Sequence, residues 1–523
     1  SLGSRCATCD EAFRVFACLW GQMQLLRLCT SLCRSHLTLL EWLSTTGPRA
    51  STLLLSCVMC VVVPDEATIV AAICSSLVST WALMPDDVDS GGVYELLVHV
   101  NLVMGLAWSL LTGRPACEGW AASAPAVRCL LALVFMFAAL ARLNSDYHNV
   151  RRSSSTVLSL QLVDALGASV GVPIGIVDAL GDRALMLLLR GVLLTLEAMG
   201  LAVPVLLWCG LTTTGLILAW GLALALGSAT AAFDLSCLLV ASMPFWVPLH
   251  RVVALRWMTV APAERGCGII AALALLSPFL VHQSPRARRR LQLLSVLWIA
   301  AASPLQYVAV APPPTEPPGC ERALAVTPNS ILRQVATMTV FLAALNGACP
   351  YLGLKTHATW SMFSNLRVEG GVSNHMLIPA SLQLFGYTHE CVTVTRTNVP
   401  ALQEHHTVTG GASRLKLFRG YVERTGTEAV VHVSAGLCGE REVLPYEVPF
   451  FQLRRIIAVH TMPLLQEFFV EYLHCGAPHR FEVRGGAPLR GCDMRLAQAP
   501  PVLLGKLLAF RSAPAGEGGA CAH

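Results

Sequence analysis

From residue 51 to residue 349 apolar runs follow one another with only short polar breaks. Neither the one-faced helical period of a soluble amphipathic helix nor the strict alternation of a half-exposed strand leaves such a pattern. A bilayer core about 30 Å thick takes roughly 20 helical residues. Run length therefore predicts spans near 67–84, 93–112, 126–142, 184–210, 212–230, 231–248, 266–282 and 291–310. A ninth run, 333–349, is short and ends in Gly347, Cys349 and Pro350, so it either spans or is re-entrant. The run 51–63 is shorter still, and Asp65 and Glu66 part it from the next. Asp164, Gly167, Gly171, Pro173 and Asp178 break the semi-apolar stretch 156–181. Irregular backbone at membrane depth needs protein or water to satisfy it, so this stretch is expected at the interface or along a cavity.

The pattern changes at about residue 354. Apolar runs shrink to strand length, and 16 Lys and Arg stand against 13 Asp and Glu. Cys391–Thr395, Ala429–Val433 and Phe481–Arg484 are rich in β-branched residues, with Gly and Pro punctuating the sequence between them. The expected fold is mainly α: a transmembrane bundle of about eight or nine spans, followed by a small β or mixed α/β soluble domain. Its expected divisions are an N-terminal segment 1–63, with an amphipathic character as one reading, a membrane domain 64–349, a polar junction block 350–379 and a soluble domain 380–523.

Composition strengthens the membrane reading. The hydrophobic fraction is 54% and the mean hydropathy +0.59, more than a soluble core absorbs. A net charge of +5 spread over 523 residues as mostly isolated Arg does not imply nucleic acid. Arg286, Arg288, Arg289 and Arg290 would place their loop in the cytosol, an orientation with which Arg142, Arg151 and Arg152 compete. The opening Ser1-Leu-Gly-Ser, without Met, suggests a fragment or a processed form, and leaves a signal peptide open. Many of the 20 Cys lie inside apolar runs, where they act as small hydrophobes. Cys6-x-x-Cys9 and Cys57-x-x-Cys60 each lack a second pair nearby, so no metal site is expected.

Ionisable groups in apolar spans cost roughly 2.5–3.5 kcal/mol on insertion scales and are candidates for function. Glu95 and His99 share one helix face, with Asn101 nearby. They are either a proton-sharing pair or a snorkelling acid beside a packed imidazole. Glu197 and Asp234 are single acids, functional or simply hydrogen-bonding helices together. Arg142, Asn144, Asp146 and His148 cluster where an apolar helix meets the interface, and Asn144 or Asp146 would also serve as a helix cap.

The stretch Phe137–Tyr147 carries small residues, then Arg142, Leu143, Asn144, Asp146 and Tyr147. It resembles a helix end of the horizontally transferred transmembrane domain, the membrane part of vitamin K-dependent γ-carboxylases and their bacterial relatives. Phe233–Trp246, closing on Ser242-Met-Pro-Phe-Trp, is similar to that family's Phe-Ser helix and Ser-x-Pro-aromatic turn. The resemblance covers roughly 60–310. It implies the family's helical fold and, with it, a quinone or other lipid as ligand. In that family a Lys just before the Leu-Asp-x-Asp-aromatic end is the base that drives hydroquinone oxygenation. This sequence has Arg142 there and no Lys before Lys355. A guanidinium stays protonated at neutral pH, so γ-carboxylation is not expected. His99 is the match for the family's catalytic His.

The block Pro350–Pro379 looks like one that follows the membrane helices in uncharacterised proteins related to that domain. Lys355, Arg367, Glu369, Asn374 and His375 supply a cation, an acid, an amide and an imidazole around a Gly370-Gly371 turn. They would bind an anionic headgroup or acidic substrate, or else form a structural junction that caps the last helix. Two functions follow as expectations. One is a binding or scaffold role with a lipid- or quinone-sized cavity, with Asn144 and the five block residues as contacts and membrane lipids as partners. The other is an enzyme of altered chemistry on a lipidic or quinone substrate, using His99, Glu95, Asp146 or the Lys355 and His375 pair. A transporter ranks third, because no inverted repeat is evident.

Overall fold

The computed structural model describes residues 7–35, 48–82, 90–149, 153, 155–156, 182–228, 233–247, 249–252, 296–303, 330–361, 364, 366–399, 402, 445–461, 465–489, 493–510 and 513–514. The span expected at 266–282, most of that at 291–310, the stretch 157–181, the strand at 429–433 and the arginines at 151–152 and 286–290 lie outside these residues. The described residues are mainly helical with one small antiparallel sheet. It folds into two compact units: residues 1–83, 91–136 and 199–344 in the first, and 84–90, 137–198 and 345–523 in the second. The helices within 1–63 belong to the first unit, and the 350–379 block shares the second with the sheet.

The principal helices are α1 (Ala7–Ser35), α2 (Pro48–Val62), α3 (Glu66–Ala82), α4 (Ser90–Leu111), α5 (Ala116–Arg142), α6 (Asp182–Trp208), α7 (Thr212–Ser228), α8 (Phe233–Ser242) and α9 (Ser330–Leu352). Among the described residues four are long and apolar enough to cross a membrane: α4, α5, α9 and the Leu187–Trp208 part of α6. The run with two readings, 333–349, lies inside the continuous helix α9. Helices α3 and α7 have 17 residues each and α8 has 10, shorter than the spans expected there. The tight turn Met243–Trp246 ends the last of these runs, because Pro244 cannot continue the α-helical ladder.

In the first unit α1 packs among apolar helices through aromatic rings. Phe16 stacks on Trp120 at 5.1 Å and meets Phe245 edge-on at 5.0 Å, with Trp120 and Phe245 5.5 Å apart. Offset and edge-on geometry suits ring quadrupoles and adds to the gain from burial. Lipid tails are as apolar as Leu, so close backbone approach matters more between membrane helices than hydrophobic burial. Gly105 of α4 faces Gly119 of α5, and a Cβ on either would fall inside van der Waals contact of the other's carbonyl oxygen. Ser109 and Ser123, one turn on, complete a small-residue seam. Ser123 Oγ donates to Asn101 O at 2.9 Å across it.

In the second unit six strands run in the order β5-β4-β3-β1-β2-β6, every pair antiparallel. These are β1 (Cys391–Thr397), β2 (Tyr446–Pro449), β3 (Phe468–His474), β4 (Ala477–Arg484), β5 (Ala487–Pro488) and β6 (Ala513–Pro514). Two of the three stretches expected as strands, 391–395 and 481–484, are β1 and the end of β4. Alternate residues Val392, Val394, Val470, Tyr472, Phe481 and Val483 turn inward onto Leu453 and Ile457 of the following helical segment. Cys475 and Gly476, with φ of 50° and 79°, make the β3–β4 turn, a left-handed pair that matches strand twist.

The Gly105–Gly119 seam yields a direct expectation. Gly119→Val forces the helices apart and is expected to cost about 1–3 kcal/mol, or more because backbone is the obstacle. Gly191→Ala, at a helical position with open space, is expected to be neutral or slightly stabilising. Thermal unfolding of the detergent-solubilised protein by fluorescence-detected size exclusion checks both, and equal effects would refute the seam.

Candidate functional site

A buried polar network occupies the first unit. Glu95, on α4, receives a hydrogen bond from Ser76 Oγ at 3.0 Å, another from Gln24 Nε2, and an ion pair from Arg27. Helix spacing puts Trp20, Gln24 and Arg27 of α1 on one face, aimed at Glu95 and His99. Trp20 Nε1 donates to His99 Nε2 at 3.0 Å, and an indole N–H only donates, so that nitrogen accepts and the proton sits on Nδ1. Glu95 Oε1 is 3.8 Å from His99 Nε2. The two are neighbours as helix spacing implies, but each is also engaged by α1. Asn101 is tied to Thr339 of α9, its Nδ2 donating to Thr339 Oγ1 at 2.9 Å.

The second unit brings the end of α5 against the 350–379 block. Asn144 caps the short turn Ser145–His148, its Oδ1 accepting from Tyr147 N at 2.8 Å, so the capping role is realised. Its Nδ2 donates to Ala141 O at 2.8 Å and to Ser364 O. Asn374 Nδ2 donates to Asp146 Oδ2 at 2.8 Å and lies 3.4 Å from Asn144 Oδ1. Backbone bonds reinforce the contact, Ser145 N to Asn374 O at 3.2 Å and Met376 N to Leu143 O at 2.9 Å.

His375 is the pin. Its Nε2 is 2.9 Å from Leu140 O, while its Nδ1 lies 3.0 Å from the backbone N of both Leu377 and Ile378. A carbonyl only accepts and an N–H only donates, so the ring is neutral with its proton on Nε2. Burial pushes the His375 pKa below the usual range, opposed in part by the Leu140 carbonyl. Gly370 and Gly371, with φ of 74° and 73°, turn the chain so that Asn374 N meets Arg367 O at 3.2 Å and Asn374 Oδ1 accepts from Arg367 N at 2.8 Å. Glu369 Oε2 accepts from Val368 N at 3.0 Å. Thus Asn144, Asp146, Asn374 and His375 converge, whereas Arg367 and Glu369 enter these contacts through their backbone or a local bond.

Four other groups lie near the ends of α5 and α9 in this unit. Arg142 is buried and its Nε has no partner among the described residues. Its charge acts on Glu197, whose Oε2 is 3.5 Å from His148 Nε2, so Glu197 does tie α6 to the α5 end. Trp360 Nε1 and Asn346 Oδ1 are likewise buried and unpaired among the described residues. Burial lowers the Lys355 pKa, with Cys349 opposing it. Asp234 begins α8, but its side chain lies outside the described residues. Among the described residues no cluster of His, Cys, Asp and Glu is arranged to hold a metal ion.

A further cluster, not singled out in the sequence, lies on the sheet. Tyr472 donates to Asp493 Oδ2 at 2.6 Å, and Arg495 clamps the same carboxylate at 2.7 Å. His474 Nε2 is 3.1 Å from Glu390, and its ring stacks on Phe450 at 5.7 Å. The Arg495 hydrogen bond holds Asp493 well below the ordinary carboxylate range. Its members are scattered from 390 to 495 with no motif spacing, so only strand pairing reveals it.

Comparison of the chain with protein-family models, with curated proteins and with solved structures returned no match to any of them.

Two expectations follow from this geometry. Arg27→Ala leaves the Glu95 carboxylate buried without its cation and is expected to cost about 3–5 kcal/mol. Adding Glu95→Gln should recover much of that loss in detergent thermostability, and an additive double variant would refute the pairing. For His375, the depressed folded pKa means its contribution is present above about pH 6.5, the unfolded value. It is lost as pH falls through the folded pKa, because protonating Nδ1 ejects two backbone donors. Exchange protection of the Leu377 and Ile378 amides, corrected for intrinsic rates, should therefore fall from pH 7.5 to pH 5. In His375→Ala it should be low and flat across that range; a parallel fall there would refute the assignment.

Proposed function

We propose that this chain is a multi-pass integral membrane protein of the horizontally transferred transmembrane type, with eight or nine spans, that holds a lipid- or quinone-like ligand and has no γ-carboxylase activity. Four apolar helices of membrane length support the membrane part of this reading. The observation that carries the ligand is the pair of buried N–H donors without partners among the described residues, Arg142 Nε and Trp360 Nε1. An unpaired buried donor costs roughly 1–3 kcal/mol, so such groups gain when an oxygen-bearing headgroup accepts from them. A quinone carbonyl or a lipid ester offers that oxygen on an apolar body.

Arg142 stands where the resembled carboxylases have their base, and a permanently cationic guanidinium binds an oxygen without removing a proton. A second reading, an enzyme of altered chemistry on the same ligand class, is favoured by Lys355. Burial lowers its pKa, which moves an amine toward a role as a base.

Mass spectrometry of lipids extracted from the purified protein is expected to find a quinone, isoprenoid or related lipid at near one per chain, reduced severalfold by Arg142→Leu. Glutamyl peptide with reduced vitamin K should give no carboxylated product above a no-enzyme control. Retention of bulk phospholipid alone would refute the ligand, carboxylated product would refute the lost activity, and conversion of the retained lipid would favour the enzyme.

A further inference from the structure

The segment 372–385 in the second unit exposes apolar side chains in a way a water-facing loop does not. Val372, Met376, Leu377, Leu382, Leu384 and Phe385 are each between 42% and 73% exposed. Scattered exposed hydrophobics are ordinary, but six within 14 residues of one loop need a partner. The hydrogen bonds say where the loop sits. At its first arm His375 is bonded to Leu140 O and Met376 N to Leu143 O, at the C-terminal end of α5. At its second arm Phe385 N donates to Leu352 O at 3.0 Å, at the C-terminal end of α9. Ala141 and Tyr351, from those same two ends, pack in one core cluster with Ile378 of the loop beside it. Both α5 and α9 have the length and hydropathy of spans, so their adjoining ends mark one boundary of the hydrocarbon core.

We propose that residues 372–385 form an interfacial anchor whose apolar side chains insert into the lipid headgroup and upper acyl region beside the ends of α5 and α9. The inference rests on the reading that those helices cross a bilayer. Non-helical backbone tolerates such a place only when its polar groups are satisfied within the protein. Here Gln383 Nε2 donates to Val368 O at 3.0 Å and Val372 O at 2.9 Å. Ser373 Oγ bonds Ile378 O at 3.0 Å, and His375 takes the Leu377 and Ile378 amides. The loop thus presents side chains rather than bare backbone to its surroundings. Its occupant is the membrane of the same protein, because the segment is bonded through His375 and Met376 to one span end and through Phe385 to the other. Insertion driven by apolar burial also does not require anionic lipid.

The test is photo-crosslinking of the full chain in phosphatidylcholine nanodiscs. A diazirine side chain replaces Leu377, Leu384, Phe341 on α9 as the span control, or Arg480 on the sheet as the water-facing control. Lipid adducts at Leu377 and Leu384 are expected near the yield at Phe341 and about tenfold above that at Arg480, unchanged by added salt. Adducts at Phe341 with Leu377 and Leu384 no higher than Arg480 would overturn the anchor while leaving the membrane reading standing. Cross-links from Leu377 or Leu384 to a second polypeptide, a copy of this chain or another protein, would overturn it equally. No lipid adduct at Phe341 would remove both the anchor and the membrane reading beneath it.

Discussion

A carboxylate cannot be left alone in an apolar helix, and Glu95 organises the first unit around that constraint. Desolvating an unpaired ion costs several kcal/mol even after relaxation, far more than one packing contact returns. Arg27, Gln24 and Ser76 together supply the compensation, and two of the three come from α1. Helix α1 is therefore the partner that lets an acid sit in α4. Its aromatic residues follow: Trp20 and Phe16 lie about two and three turns from Arg27, and Trp20 takes the remaining lone pair of His99. Polarity and packing on one helix face support each other.

The second unit meets the same constraint with backbone. Where α5 ends, its last carbonyls need donors, and the following chain must leave the apolar region without exposing amides. Asn144 and His375 do this jointly. One caps the turn after the helix and reaches Ser364, while the other takes a proton donor's place at Leu140 O and two amide protons of its own loop. Residues expected as ligand contacts thus have structural work in this chain. The groups left unsatisfied nearby, Arg142 Nε and Trp360 Nε1, are the ones with something to offer a bound oxygen. A junction and the proposed binding site need not compete, since the first holds fixed the groups that a ligand would pair.

Much of this was legible in the residues. Run lengths marked α4 and α6 closely and the C-terminal end of α5, whose start lies ten residues earlier than expected, because an apolar segment near 20 residues has one economical conformation in a bilayer. The ladder of β-branched residues marked β1 and the end of β4. The four-residue spacing of Glu95 and His99 placed them on one face, a consequence of helical geometry that no tertiary contact can alter. What tertiary structure alone decided was the partner of each group. Hydropathy is a sum over neighbours in sequence and is blind to Arg27, 68 residues before Glu95, or to Leu140, 235 before His375. The tautomers of both imidazoles and the pairing of Tyr472 with Asp493 depend on such long-range contacts. So does the placement of the exposed apolar side chains of 372–385 beside the ends of α5 and α9. Hydrogen bonds are short-ranged and directional, so they are fixed only when the chain has folded back on itself.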